Sequence, residues 1–181
     1  IYIGYRYEDL EMRGYVYVDK LPVLPVGSVV NHATLDLYAI WYSSSTVSKF
    51  PVGLYELNND SNLESQASPE WLRSLTWNTK PDHNEAHVID YEFVSSSSIY
   101  YKNNHGPVSW DLTEVVKKWY YEGTENRTVA LSITSEDRAA GLRAAFAFYS
   151  YKNNASPTLI INYRNNIGIE PYYTYTTLGA G

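Results

Sequence analysis

The stretch Val30-Asn-His-Ala-Thr-Leu-Asp-Leu-Tyr-Ala-Ile-Trp-Tyr42 decides the fold class of this chain. Apolar and polar residues alternate along it, and in an extended strand every second side chain points to the same face. One face carries Ala33, Leu35, Leu37, Ala39 and Trp41, and the other carries Thr34, Asp36, Tyr38, Ile40 and Tyr42. We expect the first set to face the core and the second set to lie on the wetter side of a half-buried strand.

Shorter alternating runs follow the same rule through most of the chain. In Met12–Val18, Val16 and Val18 share one face, whereas Tyr15 and Tyr17 share the other. Turn-rich segments separate about eight to ten such runs, and strands do not alternate regularly with helices. The pattern predicts an all-β protein, specifically an antiparallel, jelly-roll-like β-sandwich.

One segment has the spacing of a helix instead of a strand. In Asp111–Gly123 the apolar positions 112, 115, 116 and 119 fall on one side of a helix. Asp111 or Thr113 is a suitable N-cap, and Gly123 is a suitable C-terminal stop. We therefore expect one short helix within the sandwich.

The last part of the chain differs in composition from the rest. After Tyr163 the Tyr and Gly residues are scattered, and only residues 173–177 resemble a strand. We expect residues 1–164 to form the β-sandwich domain and residues 165–181 to form a C-terminal linker or the start of the next domain. The first residue is Ile1 and not Met, so we interpret the chain as a piece of a longer protein.

The composition excludes several classes of protein. The chain has 181 residues, with 19 Tyr and no Cys, so disulfide scaffolds, Cys-ligated metals and a thiol nucleophile are impossible. The net charge of −6 makes nucleic acid and anionic membranes poor partners. A membrane span would need about 18 consecutive apolar residues, and the sequence has no such run.

Six short motifs occur in an order that resembles a known family. Leu72–Pro81 contains Thr-Trp-Asn-x-x-Pro, Trp110–Trp119 contains Asp-x-Thr-x-x-Val-x-x-Trp, and residues 157–163 read Pro-Thr-Leu-Ile-Ile-Asn-Tyr. Phe148-Tyr-Ser150 belongs to the same closing motif as residues 157–163, and the remaining three motifs are Arg13 with the Leu21-Pro22 turn, Ala33–Tyr38, and Gly123 with Asn126. Over residues 10–163 the chain resembles the DNRLRE-type domain, some members of which are classed as carbohydrate-binding modules of family 96. The tail after Tyr163 resembles the junction that follows this domain in bacterial RHS/YD-repeat surface proteins.

The resemblance implies a location and a kind of partner. It implies a non-catalytic accessory domain on a secreted or cell-surface bacterial protein, and therefore an extracellular or cell-wall-associated location. The implied partners are a polysaccharide or other glycan and the neighbouring domains of the parent protein. The alternative is a structural or adhesive spacer in a large RHS/YD-repeat surface protein.

Tyr residues on the outer faces and near turns are the candidate sugar contacts. The apolar face of a sugar ring stacks on an aromatic ring, while polar groups bind its hydroxyls. The candidate ligand-binding residues are Tyr15, Tyr17, Tyr38, Tyr42, Tyr100 and Tyr101. For each, the structural alternative is a cross-strand pair that stabilises the sheet. The Trp residues of the motifs are expected in the core, namely Trp71, Trp77, Trp110 and Trp119.

We expect no enzyme activity and no identifiable metal ligands. The carboxylates are scattered, and the nucleophile-elbow, zinc-protease and phosphate-loop motifs do not occur. His83 and His87 are interpreted as loop residues and not as a metal pair. The segment Asn58–Asn62 is rich in oxygen ligands, and a structural Ca²⁺ is the one cofactor that the sequence leaves open.

Overall fold

The computed structural model describes twelve strands and three α-helices. The described residues are 1–6, 10–44, 48–57, 68–76, 78–81, 83–124, 126–133, 140–141, 143–150, 155–165 and 171–177. The strands are β1 (Tyr2–Arg6), β2 (Leu10–Met12), β3 (Gly14–Tyr17), β4 (Val29–Leu37), β5 (Ala39–Ser44), β6 (Lys49–Leu57), β7 (His83–Ser95), β8 (Val108–Asp111), β9 (Thr128–Ser132), β10 (Ala144–Phe148), β11 (Thr158–Arg164) and β12 (Pro171–Thr177). The helices are α1 (Pro69–Ser74), α2 (Tyr100–Asn103) and α3 (Thr113–Tyr121), and Ser96–Ser98 form a 3₁₀ turn.

The strands form two layers with the connections of a jelly roll. The short sheet has the order β3-β9-β6-β7. The long sheet has two halves, β2-β1-β10-β5 and β12-β11-β4-β8. Only Tyr38 separates β4 from β5, and β10 and β11 both pair antiparallel with this bent strand, so the halves continue one another. Along the chain, β3, β6, β7 and β9 lie in the short sheet and the strands between them lie in the long sheet, which is the order of a jelly roll. The predicted all-β antiparallel sandwich is confirmed.

The core lies between these two layers. Trp110 is fully buried on β8, and its Nε1 donates a hydrogen bond of 2.9 Å to the Val52 carbonyl on β6. Phe50 on β6 packs against Phe146 on β10 with ring centroids 6.0 Å apart. Burying a large apolar side chain contributes about 1.5–3 kcal/mol, so such contacts between the sheets hold the sandwich together. Of the Trp residues expected in the core, Trp110 and Trp119 are buried and Trp71 is half-buried, while Trp77 lies outside the described residues.

A β-bulge changes the predicted faces after residue 39. Phe148 pairs with Ala39, but Ala147 pairs with Trp41, so Ile40 is an extra residue on β5. An extra residue reverses the in-and-out alternation of the strand that follows it. Tyr42 consequently lies opposite Phe146, and the centroids of the two rings are 5.3 Å apart. Trp41 is only half-buried. The predictions that Tyr42 lies on the outer face and Trp41 in the core are wrong for this reason.

The predicted helix is present as α3. Its Val115, Val116 and Trp119 are buried, as the spacing indicated. The N-cap residue is Leu112 and not Asp111 or Thr113, so that prediction is wrong. Asp111 nevertheless supports the first turn, because its Oδ1 accepts a hydrogen bond of 2.8 Å from the backbone N–H of Thr113, the first residue of the helix. The described part of the chain also contains the shorter helices α1 and α2, which the sequence pattern did not indicate.

The three remaining predictions concern the domain boundary near the C-terminus, two His residues and an oxygen-rich segment. Residues 171–177 pair with β11 along its whole length and extend the long sheet. The domain boundary after residue 164 stays a prediction. His83 and His87 lie on β7, which corrects their interpretation as loop residues. The oxygen-rich segment Asn58–Asn62 lies outside the described residues.

Candidate functional site

Two of the six candidate Tyr residues are buried in the fold. Tyr15 is 6% exposed and Tyr17 is 8% exposed. The Tyr15 hydroxyl donates a hydrogen bond of 2.9 Å to the Pro81 carbonyl, and Tyr15 packs in a small apolar cluster with Tyr55 and Ala130. The prediction of a wet face on β3 is wrong, because Leu75 packs against the cluster that contains Tyr15 and the Pro81 carbonyl accepts the hydrogen bond of its hydroxyl.

The other four candidates separate into a pair and two single residues. Tyr38 and Tyr100 meet edge to face, with ring centroids 5.0 Å apart and ring planes at 72°. Both are half-buried. Tyr42 is instead packed against the core, and the side chain of Tyr101 is outside the described part of the structure.

Tyr38 stands at one end of a polar surface on the outer side of the long sheet, which we call the β4 face. It is formed by alternate residues of three neighbouring strands, whose inward-facing partners are in the core. Its members are His32, Thr34, Asp36 and Tyr38 on or next to β4, Ser109 and Asp111 on β8, and Thr158, Ile160 and Asn162 on β11. From His32 to Tyr38 the strand spans about 20 Å.

Asp36 is the unusual residue of the β4 face. It lies opposite Ser109 on one neighbouring strand and Thr158 on the other. The residue is only 8% exposed, and its buried Oδ1 has no hydrogen-bond partner among the residues described. Leaving a buried polar group unpaired costs about 1–3 kcal/mol, and more for a charged group. Oδ1 is therefore an acceptor without a donor in the described part of the domain, and a hydroxyl from outside reaches it only when the groups that cover it move.

A hydrogen-bond network orders the other end of the β4 face. The Thr113 hydroxyl donates to Asp111 Oδ1 at 2.6 Å and accepts from the Ala33 backbone N–H at 3.0 Å. His32 Nδ1 lies 3.1 Å from the same hydroxyl oxygen. Because the hydroxyl has a single hydrogen, which goes to Asp111, we assign the His32 proton to Nδ1. When His32 is neutral, its Nε2 is then an acceptor.

The same network sets the charge of Asp111. Burial opposes ionisation of this carboxyl, but the two hydrogen bonds from Thr113 and the positive charges of His32 and Lys117 together lower its pKa below the ordinary value. Asp111 is therefore an anion over the usual pH range. With Asp36 it places two carboxylates on the β4 face.

A second group of carboxylates lies at the edge between the sheets. Asp90 on β7 accepts a hydrogen bond of 2.7 Å through Oδ2 from the backbone N–H of Asp111, which covers the free edge of β8. Burial, and then the charge of Asp90, raise the pKa of Glu92. These contacts join the edges of the two sheets, an arrangement typical of edge protection. In the part of the chain that the structure describes, no three His, Asp or Glu residues are grouped to hold a metal.

Sequence patterning identified Tyr38 and Tyr100 but not the residues around them. Thr34 and Asp36 share the predicted outer face with Tyr38, so the strand pattern could have suggested them. The burial of Asp36 and the network of His32, Thr113 and Asp111 depend on register between strands that are distant in sequence, and the sequence carries no signal for them.

Comparisons with known proteins give no further assignment. No protein-family model matches the chain, and no curated protein matches it. Among the described residues, no helix is both long and apolar enough to cross a membrane.

Proposed function

We propose that this chain is a non-catalytic extracellular accessory domain that binds a polysaccharide on its β4 face. The observation that carries the proposal is the buried, unpartnered Oδ1 of Asp36 on a polar face that ends in the Tyr38–Tyr100 pair. Sugar sites combine an aromatic surface for the apolar side of the ring with fixed polar groups for its hydroxyls. The resemblance of residues 10–163 to DNRLRE-type domains favours the same function and location.

The arrangement suits binding better than chemistry. A sugar hydroxyl that donates to Asp36 Oδ1 would remove the penalty of the unpaired acceptor, so the folded domain gains free energy only when a ligand is present. Ser109 and Thr34 lie next to Asp36 and offer hydroxyls for further hydrogen bonds. These are neutral groups that hold a ligand without transferring a proton.

Native gel electrophoresis with soluble polysaccharides in the gel tests this function. The probes are xylan, glucomannan, mixed-linkage β-glucan, dextran, alginate and polygalacturonate, each with and without Ca²⁺. We expect at least one probe to retard the protein, and Tyr38→Ala to abolish the retardation. Tyr91→Ala is the matched control, because Tyr91 is an exposed Tyr on β7 of the short sheet.

Two outcomes would contradict the proposal. Retardation by no probe would favour the structural or adhesive spacer. Retardation that survives in Tyr38→Ala and disappears in Tyr91→Ala would place the binding surface on the short sheet.

A further inference from the structure

The β4 face is open at one end. Asn31, His32 and Asp111 are exposed there, and Asn162 is half-buried. Asn31 Nδ2 and Asn162 Oδ1 are 3.3 Å apart across β4 and β11. Among the described residues, these exposed side chains mark the end at which a ligand chain can leave the face.

The face is closed at its other end, at Tyr38. Exposure falls along β4 from His32, which is exposed, through Thr34, which is half-buried, to Asp36, which is buried. Beyond Asp36 both neighbouring strands are interrupted where β4 bends into β5. On one side the chain forms the 3₁₀ turn and α2 before β8 begins, and on the other side β10 ends at Phe148 and is followed by Tyr149.

Side-chain and backbone contacts hold the closing segments in place. Ile99 forms a parallel bridge with Ala39, and the next residue, Tyr100, puts its ring against Tyr38. Asn103 Nδ2 donates to the carbonyls of Ser96 and Ser97, which ties α2 to the 3₁₀ turn. On the opposite side the Tyr149 N–H donates to the Tyr38 carbonyl at 3.1 Å.

The charges on the face favour an uncharged terminal sugar. The Asp36 carboxylate lies next to the closed end, and the Asp111 carboxylate lies two strand positions away along the face, opposite Thr34. A uronate or sulfate group near Asp36 would be repelled, and repulsion is strong where water is excluded. At Asp111 the positive charges of His32 and Lys117 offset the repulsion. The positive Arg164 lies opposite Val29, beyond the open end.

From this asymmetry we infer that the β4 face binds the terminal sugar of a neutral polysaccharide and not the interior of a chain. The inference rests on the proposed function. The terminal ring would sit against Tyr38 with a hydroxyl donating to Asp36, and the rest of the chain would run past Thr34 and leave beside His32.

Partial hydrolysis of the probe polysaccharides separates recognition of ends from recognition of interiors. Isothermal titration calorimetry would measure moles of protein bound per gram of xylan, glucomannan, β-glucan or dextran before and after hydrolysis. For the neutral probe that binds, a tenfold reduction in mean chain length should raise this capacity about tenfold, because the number of ends rises in proportion. The affinity per site should stay the same.

A variant tests the closed end directly. Tyr100→Ala removes one ring of the closing pair, so the capacity of unhydrolysed polymer should rise, whereas the Tyr91→Ala control should not change it. A capacity per gram that is independent of chain length would overturn the inference while leaving the proposed function intact. Equal binding of alginate or polygalacturonate would overturn its neutral character. Binding of no probe at all would instead refute the proposed function.

Discussion

The outer sides of the two sheets both carry Tyr, but only on the short sheet are some of these Tyr residues buried by other parts of the chain, while Tyr91 stays exposed there. On the short sheet, Tyr15 and Tyr55 pack in one cluster with Leu75, and the Tyr15 hydroxyl is paired with the Pro81 carbonyl. On the β4 face, no described residue donates a hydrogen bond to Oδ1 of Asp36, so a buried carboxylate oxygen next to Tyr38 is left unpaired. We call the first of these surfaces the covered side.

The difference separates two uses of the same strand pattern. On the covered side, the Tyr15 hydroxyl is satisfied within the domain, and the aromatic rings add apolar burial that stabilises the fold. The hydroxyl oxygens of Thr128 and Ser132 are buried on the same side without a partner among the described residues. On the β4 face the unsatisfied acceptor is a carboxylate oxygen, whose burial without a partner costs more than that of a hydroxyl, and the proposed ligand would satisfy it. Substitutions should therefore lower stability on the covered side and change binding on the β4 face.

The largest expected effect is on the covered side. Tyr55 is 1% exposed, so Tyr55→Ala should lower the free energy of unfolding by about 3–5 kcal/mol through lost burial and the cavity that remains. Tyr38→Ala should lower it by only about 1 kcal/mol, because Tyr38 is half-buried and loses mainly its ring contact with Tyr100. Urea unfolding followed by circular dichroism measures both. Equal losses would remove the distinction between the two surfaces.

A substitution at Gly53 also tests the packing of Tyr55 on the covered side, with a smaller expected loss of stability. A methyl group at Gly53 would lie 2.5 Å from the Tyr55 hydroxyl oxygen, because the Tyr55 ring lies over this glycine. Gly53→Ala should therefore displace the ring and lower stability by about 1–3 kcal/mol. At Gly106 an added methyl meets no atom within 4 Å, so Gly106→Ala is the control, with a change within about 0.5 kcal/mol. A stable Gly53→Ala variant would mean that Tyr55 does not pack tightly there.

The network at the open end of the β4 face predicts a pH dependence. The pKa of Asp111 in the folded domain is below its ordinary value of 3.8, so its contribution to stability is present above that value and is lost as the pH falls through the folded pKa. Asp111→Asn should be less stable than the parent at pH 7, by less than about 1 kcal/mol because the side chain is largely exposed. The difference in stability between the variant and the parent should disappear as the pH falls below the ordinary pKa and through the folded pKa of Asp111. A gap that is constant with pH would contradict the role of the charge.

The smallest effect is expected at Glu92 and has the opposite sign. Burial and the charge of Asp90 raise the pKa of this carboxyl above its ordinary value of 4.5. The folded domain therefore binds the proton more tightly, and stability falls as the pH rises from that value through the folded pKa. Glu92→Gln should be slightly more stable than the parent at pH 7 and equal to it near pH 3. Thermal unfolding at the two pH values measures this, and a variant that is less stable at pH 7 would refute it.

Local signals in the sequence predicted much of the fold. The alternation in residues 30–39 and the helical spacing of residues 112–119 depend on neighbouring residues alone, and β4 and α3 follow them. The bulge at Ile40 is set by the pairing of β5 with β10, which are about a hundred residues apart, so the prediction for Tyr42 failed. The prediction that Tyr15 lies on a wet face failed for a related reason, because only the folded chain brings Pro81 over β3.

The candidate site was predicted only in part. Tyr38 lies on a face that alternation assigns correctly, and Tyr100 precedes a turn-rich segment. Their contact depends on the bridge between Ala39 and Ile99, which no local pattern encodes. The unpaired oxygen of Asp36 is likewise a property of three strands together.

Asp36→Val tests the central claim most directly, because it removes the unpaired carboxylate and keeps a side chain suited to a strand. Urea unfolding should show a free energy of unfolding about 1–3 kcal/mol higher than the parent, and native gels should show no retardation by polysaccharide. Ser132→Ala is the matched control, because Ser132 Oγ is buried on the short sheet without a partner among the described residues, and its loss should leave binding unchanged. An Asp36→Val protein that is less stable than the parent, or that still binds polysaccharide, would contradict the account.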